Sequence, residues 1–412
     1  MRVRNLQFLE NGRLEGATLP RRNRQGAVSL ARFLCYVLRV ATGWPSMAFK
    51  FEIEEPFVSE LPRIARERIA RVIEALAEKP RPSAESIHSA RKDLKSLRAL
   101  LRLARGSIAD ETRRNQNLLF RDTGRTLAAV RDSQALIEAL KKFVKGKTRT
   151  GSKISAAQQE VRLDFVHQVR SRIEQEAVVE LPEDTLKKLK ENLHGVARSA
   201  THWFDGFSFE PENEWEVFVG RGLRRTYRQG KEIVGQLESL GKENASDETW
   251  HALRKNAKAL GYQLRLFRPI WPELLETLLK EIDQSTDKLG DDHDLAVLRG
   301  RLLTEPYDAS ETQVAAEIRR IFIESLDRRR RKLQMEAFHM VRRIYAEKPR
   351  QFESRIRGYW SISQKRPIKI LAKFPRDAAG HSSKRGIPAR SRAGTAHRPA
   401  RRRVRAQSVA TG

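Results

Sequence analysis

Apolar residues recur at intervals of three and four along most of the chain, which is the spacing of one face of an α-helix. Alternation with a period of two is scarce, and glycine and proline cluster between the periodic segments. Ser83 and Asp247 are predicted N-caps. Long helices with short connections favour antiparallel bundles, so the predicted fold class is all-α. The pattern predicts helices over residues 59–79, 84–105, 110–145, 154–178, 183–203, 213–240, 247–268, 271–302 and 311–346.

Two of these predicted helices carry the same polar string, His-x-x-Arg-Lys-x-x-Lys, followed at the same distance by a further arginine. Downstream of each string lies a closing segment, Leu-x-x-x-Arg/His-Asp, which ends at Asp132 in the first case and at Asp294 in the second. Two motifs in one order at nearly one spacing predict two related halves. We place the boundary in the glycine- and proline-containing residues 205–213, with a first half over 47–206 and a second over 207–346.

The repeated string places positive charge along one side of each helix. At about 100° per residue, the cations of the first string share an arc of about 120° with its histidine, and apolar residues occupy the opposite side. Gly261 stands in the second copy where the first has Arg98, so we expect the halves to contribute unequally. The polar faces comprise His88, Arg91, Lys92, Lys95, Arg98 and Arg102 in the first copy, and His251, Arg254, Lys255, Lys258 and Arg265 in the second.

Such faces are either ordinary solvated surfaces or a binding site for an anion. A solvated helix face commonly interleaves glutamate with lysine, whereas these faces hold almost no acid. Their like charges therefore repel one another unless an anion neutralises them. Solubility does not require both copies to keep a histidine and the same cation spacing, so the repeat favours a bound polyanion.

The composition agrees with an anionic partner. The 412 residues include 81 Lys and Arg against 52 Asp and Glu, which gives a net charge of +29 and a sequence pI near 10.7. This balance predicts partners such as nucleic acid, polyphosphate or an anionic membrane surface. The one cysteine, Cys35, excludes a disulfide within the chain and a cysteine-based metal site. The apolar stretch around it is too short and too charged for a membrane span.

Both ends differ from the patterned middle. Residues 1–46 are interpreted as an N-terminal extension, and Met47 is an alternative start because patterned sequence follows it directly. Residues 347–412 are predicted to be a basic, largely disordered tail, since periodicity is lost completely from about residue 372 onward. Such a tail can contact DNA or RNA nonspecifically through its charge.

The paired strings and closing segments resemble the CHAD family, the conserved-histidine α-helical domain. Gly222-Leu-Arg-Arg-Thr-Tyr227-Arg-Gln-Gly-Lys231 is similar to the helix that opens the second half in that family. The resemblance covers roughly residues 55–346. It implies two four-helix bundles related by a pseudo-two-fold axis, whose basic faces converge on a central groove or pore. It further implies binding of inorganic polyphosphate and, in some bacteria and archaea, association with polyphosphate granules.

Polyphosphate suits these faces because a flexible chain of phosphates needs cations at regular intervals and little else. Arginine offers bidentate geometry to phosphate oxygens, and lysine offers point charge. Tyr227 on an opening helix is a candidate hydrogen-bond donor or a packing residue. Further candidate ligands on the opening helices are Arg63, Arg66, Arg68, Arg224, Arg225, Arg228 and Lys231.

His88 and His251 have competing interpretations. They can donate to phosphate, which would raise their pKa, or serve as structural contacts between helices. A divalent metal shared with aspartates of the closing segments is a weaker alternative. Asp132 and Asp294 more simply pair with the arginines and orient them. The equivalence of Arg131 and His293 in the repeat suggests a position that requires a cation. We predict no metal and no cofactor.

The sequence carries no P-loop, no Rossmann glycine pattern and no nucleophile elbow. Glu52-Ile-Glu54-Glu55-Pro56 begins like the Glu-x-Glu-x-Lys signature of the CYTH domain that often accompanies CHAD domains, but proline replaces the lysine. We therefore predict a non-enzymatic, cytoplasmic polyphosphate-binding protein that associates with granules. Nonspecific nucleic-acid binding and a scaffold that docks an acidic partner are the alternatives.

Overall fold

The computed structural model describes residues 49–78, 81–147, 156–176, 180–205, 207–241, 244–304 and 313–365. Regular structure within these ranges is helical, apart from an isolated bridge between Arg105 and Ile108, and this confirms the all-α prediction. Residues 1–46, Met47 and residues 366–412 lie outside the described ranges. The α-helices are α1 (Phe57–Leu76), α2 (Ala84–Leu103), α3 (Asp110–Lys147), α4 (Ala156–Gln175), α5 (Glu183–Ala200), α6 (Arg221–Leu240), α7 (Asp247–Leu266), α8 (Pro272–Thr304), α9 (Gln313–Ile344) and α10 (Pro349–Lys365).

Both basic helices begin at a serine N-cap. Ser83 Oγ accepts a hydrogen bond from the Ser86 amide at 3.1 Å before α2, as predicted. Ser246 Oγ accepts one from the Thr249 amide at 3.3 Å before α7. The predicted cap at Asp247 is therefore wrong by one residue. Asp247 is the first residue of α7, and its carboxylate binds Arg330 of α9 instead.

Helix α10 corrects the predicted start of the C-terminal tail. Residues Pro349–Lys365 are helical, and Phe352, Ile356 and Trp360 are buried along one side of the helix. Phe352 stacks on Tyr227 of α6, with ring centroids 4.0 Å apart. The prediction of disorder is wrong for this segment, because its apolar stripe covers the opening helix of the second half.

The helices of each half contact one another in a closed ring: α1, α2, α3 and α5 in the first half, and α6, α7, α8 and α9 in the second. Helix α4 lies outside both rings and contacts α3 and α9. Helices α2 and α7 also contact each other between the halves. There, Gln263 Nε2 of α7 donates to the Ala99 carbonyl of α2 at 3.2 Å and to Thr226 Oγ1 of α6 at 3.1 Å. The repeat therefore brings its two basic helices side by side.

The hydrophobic core is shared between the halves. Its larger cluster includes Leu97 of α2 and Leu260 of α7. A second cluster joins Leu140 of α3 to Leu298 of α8 and Leu326 of α9. Because both clusters draw on both halves, the helices belong to one compact unit, and the predicted boundary at residues 205–213 does not separate two independent cores.

Candidate functional site

The first polar face lies on α2, as the helical spacing predicted. Leu94, Leu97 and Leu100 are buried on the opposite side of the helix. His88, Lys92 and Lys95 are exposed, while Arg91, Arg98 and Arg102 are half-buried. We call these six polar residues the α2 face. Its arginines are held close to the protein surface, and its lysines reach into solvent.

Helix α3 adds arginines that the sequence analysis did not identify. Arg98 Nε donates to Asn117 Oδ1 of α3 at 3.2 Å. The pKa of Arg98 is lowered first by burial and then by the charges of Arg102, Arg121 and Arg125. The opposing charge is Asp122, which binds Arg121 with an Nε–Oδ1 distance of 2.8 Å. Several guanidinium groups therefore meet at this end of the α2 face with little compensating acid.

Among the described residues, no nearby acid compensates the positive charge of Arg102. Its pKa is lowered by burial alone, and no carboxylate in the described part of the chain pairs with it. A cation that has lost water without gaining a carboxylate is stabilised by an incoming anion.

The next arginine along the chain, Arg105, has its pKa lowered by burial and by the nearby charge of Arg225 of α6. Arg225 thus lies near the end of α2, while Arg66 is half-buried and Arg228 is exposed on their opening helices.

The closing segments meet the polar strings where α3 approaches α8. Arg91 Nη1 lies 3.6 Å from Asp132 Oδ1, which is the pairing proposed from the sequence. Burial raises the pKa of Asp294, the charge of Arg254 lowers it, and the charges of Asp291 and Asp132 raise it. The aspartates of the two closing segments therefore lie near one another. The side chain of Arg131 lies outside the described structure.

The second polar face contains a stacked histidine pair. The rings of His251 on α7 and His293 on α8 have centroids 4.4 Å apart and an interplanar angle of 30°. Burial, the charge of His293 and the charges of Lys255 and Arg254 lower the pKa of His251 to about 4. The pKa of His293 is also lowered, first by burial. Burial therefore favours the neutral form of both rings, which does not support the expectation that His293 occupies a position requiring a cation.

The histidine pair makes stability depend on pH. The folded-state pKa of His251, about 4, lies below the usual value of about 6.5 that applies after unfolding. Its contribution is therefore fully present above about pH 6.5 and is lost as the pH falls toward 4. We expect urea unfolding between pH 7 and about pH 4.5 to show a smaller acid-dependent loss in His251→Gln than in the unsubstituted protein. His339→Gln, at an exposed position of α9, should leave that loss unchanged. Equal losses in all three proteins would contradict this assignment.

Two cations of the second polar face, Arg265 and Lys258, are paired with aspartates of α8. Arg265 Nη2 donates to both carboxylate oxygens of Asp283, at 2.7 and 2.6 Å. Its guanidinium also lies 5.4 Å from the ring centroid of Tyr262. Lys258 Nζ lies 3.2 Å from Asp287 Oδ1. The two polar faces are thus similar in sequence but differ in how much of their charge is neutralised within the fold.

Three of the candidate ligands on the opening helices are committed to internal contacts. Arg63 is buried and binds Glu60 at 2.6 Å and Glu67 at 2.9 Å. Arg224 Nη2 lies 2.6 Å from Glu216 Oε1. Lys231 Nζ donates to the carbonyl oxygens of Tyr345 and Ala346 at 3.0 and 3.1 Å. Arg63 is thus paired within its own helix, while Arg224 and Lys231 bind groups outside α6, and none of the three charges is presented to a ligand.

Two further residues of the opening helices have structural roles. Arg68 is buried and lies 3.0 Å from Asp93, so it joins α1 to α2. Tyr227 is fully buried, and its hydroxyl donates to the Ile344 carbonyl at 2.9 Å. Of the two roles considered for Tyr227, hydrogen-bond donor to a ligand or packing residue, its burial and internal hydrogen bond favour packing.

In the described ranges no grouping of three or more His, Cys, Asp or Glu side chains is arranged to hold a metal ion. No helix in these ranges has the length and apolarity to cross a membrane.

Comparison with known proteins places these features in a family. A family model described as the CHAD domain matches residues 61–303. The crystal structure of the CHAD domain from the plant Ricinus communis is 16% identical, with a TM-score of 0.45 over 74% of this chain and 96% of that chain. A comparison with curated proteins found no match.

Proposed function

The chain belongs to the CHAD domain family, and on the basis of its α2 face we propose that it binds inorganic polyphosphate. The observation that carries the proposal is the group of arginines on α2 and α3 around half-buried Arg98, which donates to Asn117 of α3; burial first, and then the charges of these arginines, lower its pKa. A polyphosphate chain carries about one negative charge per phosphate and can neutralise such a group along its length. Arginine and lysine together supply the bidentate and point-charge contacts that phosphate oxygens accept.

The regular spacing of the cations along α2 suits an extended polyanion. Neighbouring residues three and four apart on a helix face are separated by about 5–6 Å, so the cations form a ladder along the helix axis. Lys92 and Lys95 stand at the exposed part of the ladder, and Arg98 and Arg102 form its half-buried end. The proposed role is binding without catalysis, and it includes attachment of the protein to cytoplasmic polyphosphate granules.

Nucleic-acid binding is the alternative that uses the same charge. Proteins that bind single strands generally stack bases on accessible aromatic side chains. Tyr262, the aromatic residue near the polar faces, is buried, and it packs edge-on against Phe49. The exposed aromatic residues Phe207 and Trp271 lie outside the α2 face. The charge of the face therefore favours a polyanion without bases, while the basic C-terminal residues supply the proposed nonspecific contact with DNA or RNA.

The test is titration of the full chain with long-chain polyphosphate, duplex DNA and single-stranded DNA at about 150 mM salt, where the Debye length is about 8 Å. We expect polyphosphate to bind more tightly than either DNA. Removing three cations of the α2 face should weaken polyphosphate binding about 100-fold, or about 2.7 kcal/mol, because an ion pair near the surface is worth at most about 1 kcal/mol. The test variant is Arg91→Ala with Lys92→Ala and Lys95→Ala.

A matched variant removes the same charge from another helix. Helix α5 carries three lysines on its solvent side, and their loss should change polyphosphate affinity by less than about threefold, since only long-range charge is removed. Unchanged affinity in a folded α2-face variant would contradict the proposed site. Equal, salt-sensitive binding of all three polyanions would favour a generic basic surface. The control substitutions are Lys187→Ala, Lys188→Ala and Lys190→Ala.

A further inference from the structure

The internal repeat extends beyond the polar strings into the helices that pack against them. Leu127 of α3 and Leu289 of α8 occupy equivalent positions in the closing segments, and both are buried. The same register carried toward the N-termini of α3 and α8 aligns buried Phe120 with buried Ile282. Burial therefore follows the repeat along both helices, and equivalent positions face equivalent surroundings.

In this register the charge is reversed at two positions. Arg121 of α3 is equivalent to Asp283 of α8, and Arg125 is equivalent to Asp287. Members of each pair also have the same exposure, half-buried in the first pair and exposed in the second. The paired positions therefore match in exposure and differ in the sign of the side-chain charge.

The reversal has opposite consequences for the two basic helices. In the second half, Asp283 binds both its oxygens to Arg265, and Asp287 lies 3.2 Å from Lys258. In the first half, the equivalents of those two cations are Arg102 and Lys95 on the α2 face. No carboxylate in the described part of the chain pairs with Arg102, whereas Arg265 is paired with Asp283 of α8, so the charge of Arg102 is not cancelled.

The first-half group also contains Arg98, for which the second half has Gly261. This group comprises Arg98, Arg102, Arg121 and Arg125: Arg98 Nε donates to Asn117 Oδ1 of α3 at 3.2 Å, the charges of the other three arginines act on Arg98, and Asp122 is the acid nearby. Asp122 lies 2.8 Å from Arg121 and 3.8 Å from Arg125, so one carboxylate is shared by two guanidinium groups. The group keeps an excess of positive charge, whereas the equivalent second-half positions hold one arginine and two aspartates.

We infer that the phosphate chain is bound by the first half alone, with Arg121 and Arg125 as ligands in addition to the α2 face, and that Asp283 and Asp287 close the second polar face to anions. This inference rests on the proposed function. Arg121 is held by both oxygens of Asp122, but no carboxylate in the described part of the chain pairs with Arg98 or Arg102, so phosphate oxygens can approach these two arginines without displacing one. At the second face, an anion must displace Asp283 from Arg265 and also approach two carboxylates that repel it.

The magnitudes favour this asymmetry. The exposed Lys258–Asp287 pair contributes at most about 1 kcal/mol to stability and by itself would not prevent a ligand from binding. The Arg265–Asp283 pair is the stronger barrier, because both oxygens of Asp283 accept from Arg265 Nη2 and this charge-assisted contact must be replaced. In the first half, an incoming phosphate relieves repulsion among arginines, so the same binding step is favourable there.

The experiment exchanges the charges between the halves in the full chain. One variant carries Arg121→Asp and Arg125→Asp, and the other carries Asp283→Arg and Asp287→Arg. Titration with inorganic tripolyphosphate, a short probe, reports affinity and the number of molecules bound per chain. We expect the first variant to lose at least about tenfold in affinity, which corresponds to 1.4 kcal/mol. We expect the second to bind one additional tripolyphosphate per chain.

Controls separate this inference from the proposed function. Lys187→Asp with Lys188→Asp on α5 makes the same change of net charge as the first variant and should alter affinity by less than about threefold. If the first variant fails to fold, Arg121→Gln with Arg125→Gln removes the charges without adding carboxylates. If the second fails to fold, Asp283→Asn with Asp287→Asn serves the same purpose.

The outcomes are distinct. An Arg121/Arg125 variant that matches the α5 control, together with weakened binding in the α2-face variant, would overturn the inference and leave the proposed function intact. A second binding equivalent already present in the unsubstituted protein, and abolished by Lys255→Ala with Lys258→Ala, would also overturn it. Absence of polyphosphate binding to the unsubstituted protein would overturn both.

Discussion

Gly222→Ala is expected to lower the free energy of unfolding by about 3 kcal/mol, at the upper end of what overpacking ordinarily costs. Gly222 is a buried residue in the first turn of α6, and a Cβ added there would overlap the backbone carbonyls of Arg102 and Leu103 at the end of α2. Backbone atoms cannot turn aside as a flexible side chain can, so the two helices must move apart. Chemical denaturation monitored by circular dichroism measures the change.

Gly235 on the same helix is the matched control. Its added Cβ would meet no atom within 4 Å, and the residue is exposed. Gly235→Ala should therefore stabilise the protein by about 1 kcal/mol, the difference between alanine and glycine in a helix interior. The prediction for Gly222 is contradicted if both variants are stabilised. The Gly222 substitution should also weaken polyphosphate binding, because Arg102 lies on the segment that would move.

Arg330→Ala is expected to cost about 3–5 kcal/mol, the range for removing one partner of a buried ion pair. Arg330 of α9 is buried, and its Nε lies 3.0 Å from Asp292 Oδ1 of α8. Its other contact is with Asp247 of α7, so one guanidinium joins three helices. Asp292 also accepts a hydrogen bond from Gln334 Nε2 at 3.1 Å. Burial raises the pKa of Asp292 and the charge of Arg330 lowers it, so loss of Arg330 leaves a buried carboxylate without its cation.

Two further variants test this explanation. Arg331→Ala, at the exposed neighbouring position of α9, should change stability by no more than about 0.5 kcal/mol. Asp292→Val with Arg330→Leu should recover much of the loss, because a buried ion pair can often be replaced by apolar residues. Valine is a suitable choice since Val130 occupies the equivalent position of α3. An Arg330→Ala variant as stable as Arg331→Ala would contradict the assigned role.

The positions of the helices followed from local pattern. Apolar residues on α2 and α7 repeat with the helical period, and their buried sides coincide with the predicted ones. The cap at Ser83 was also predictable, because a serine side chain satisfies an amide only three residues away. Both features depend on contacts within a few residues along the chain, so the type and spacing of those residues are enough to predict them.

Contacts between residues far apart in the sequence were harder to predict from the sequence. Arg63 and Arg224 resembled ligands in the sequence, but Arg63 is neutralised by acids within its own helix and Arg224 reaches Glu353 of α10. The sequence shows the charges of Arg121 and Arg125 but not that α3 brings them to Arg98. The basic composition after residue 347 hid the apolar stripe of α10, because that stripe acquires its partners only from α6.

The sequence by itself determined the helical class, the two related halves and the positive faces of α2 and α7, since each of these depends on periodicity and residue type. Only the tertiary structure decided which charges remain available to a ligand. The reason is that the energy of a charge depends on its burial and on the charges around it, and these neighbours come from helices far apart in the sequence. Two nearly identical strings therefore became one face with additional arginines nearby and another in which Lys258 and Arg265 are paired with aspartates.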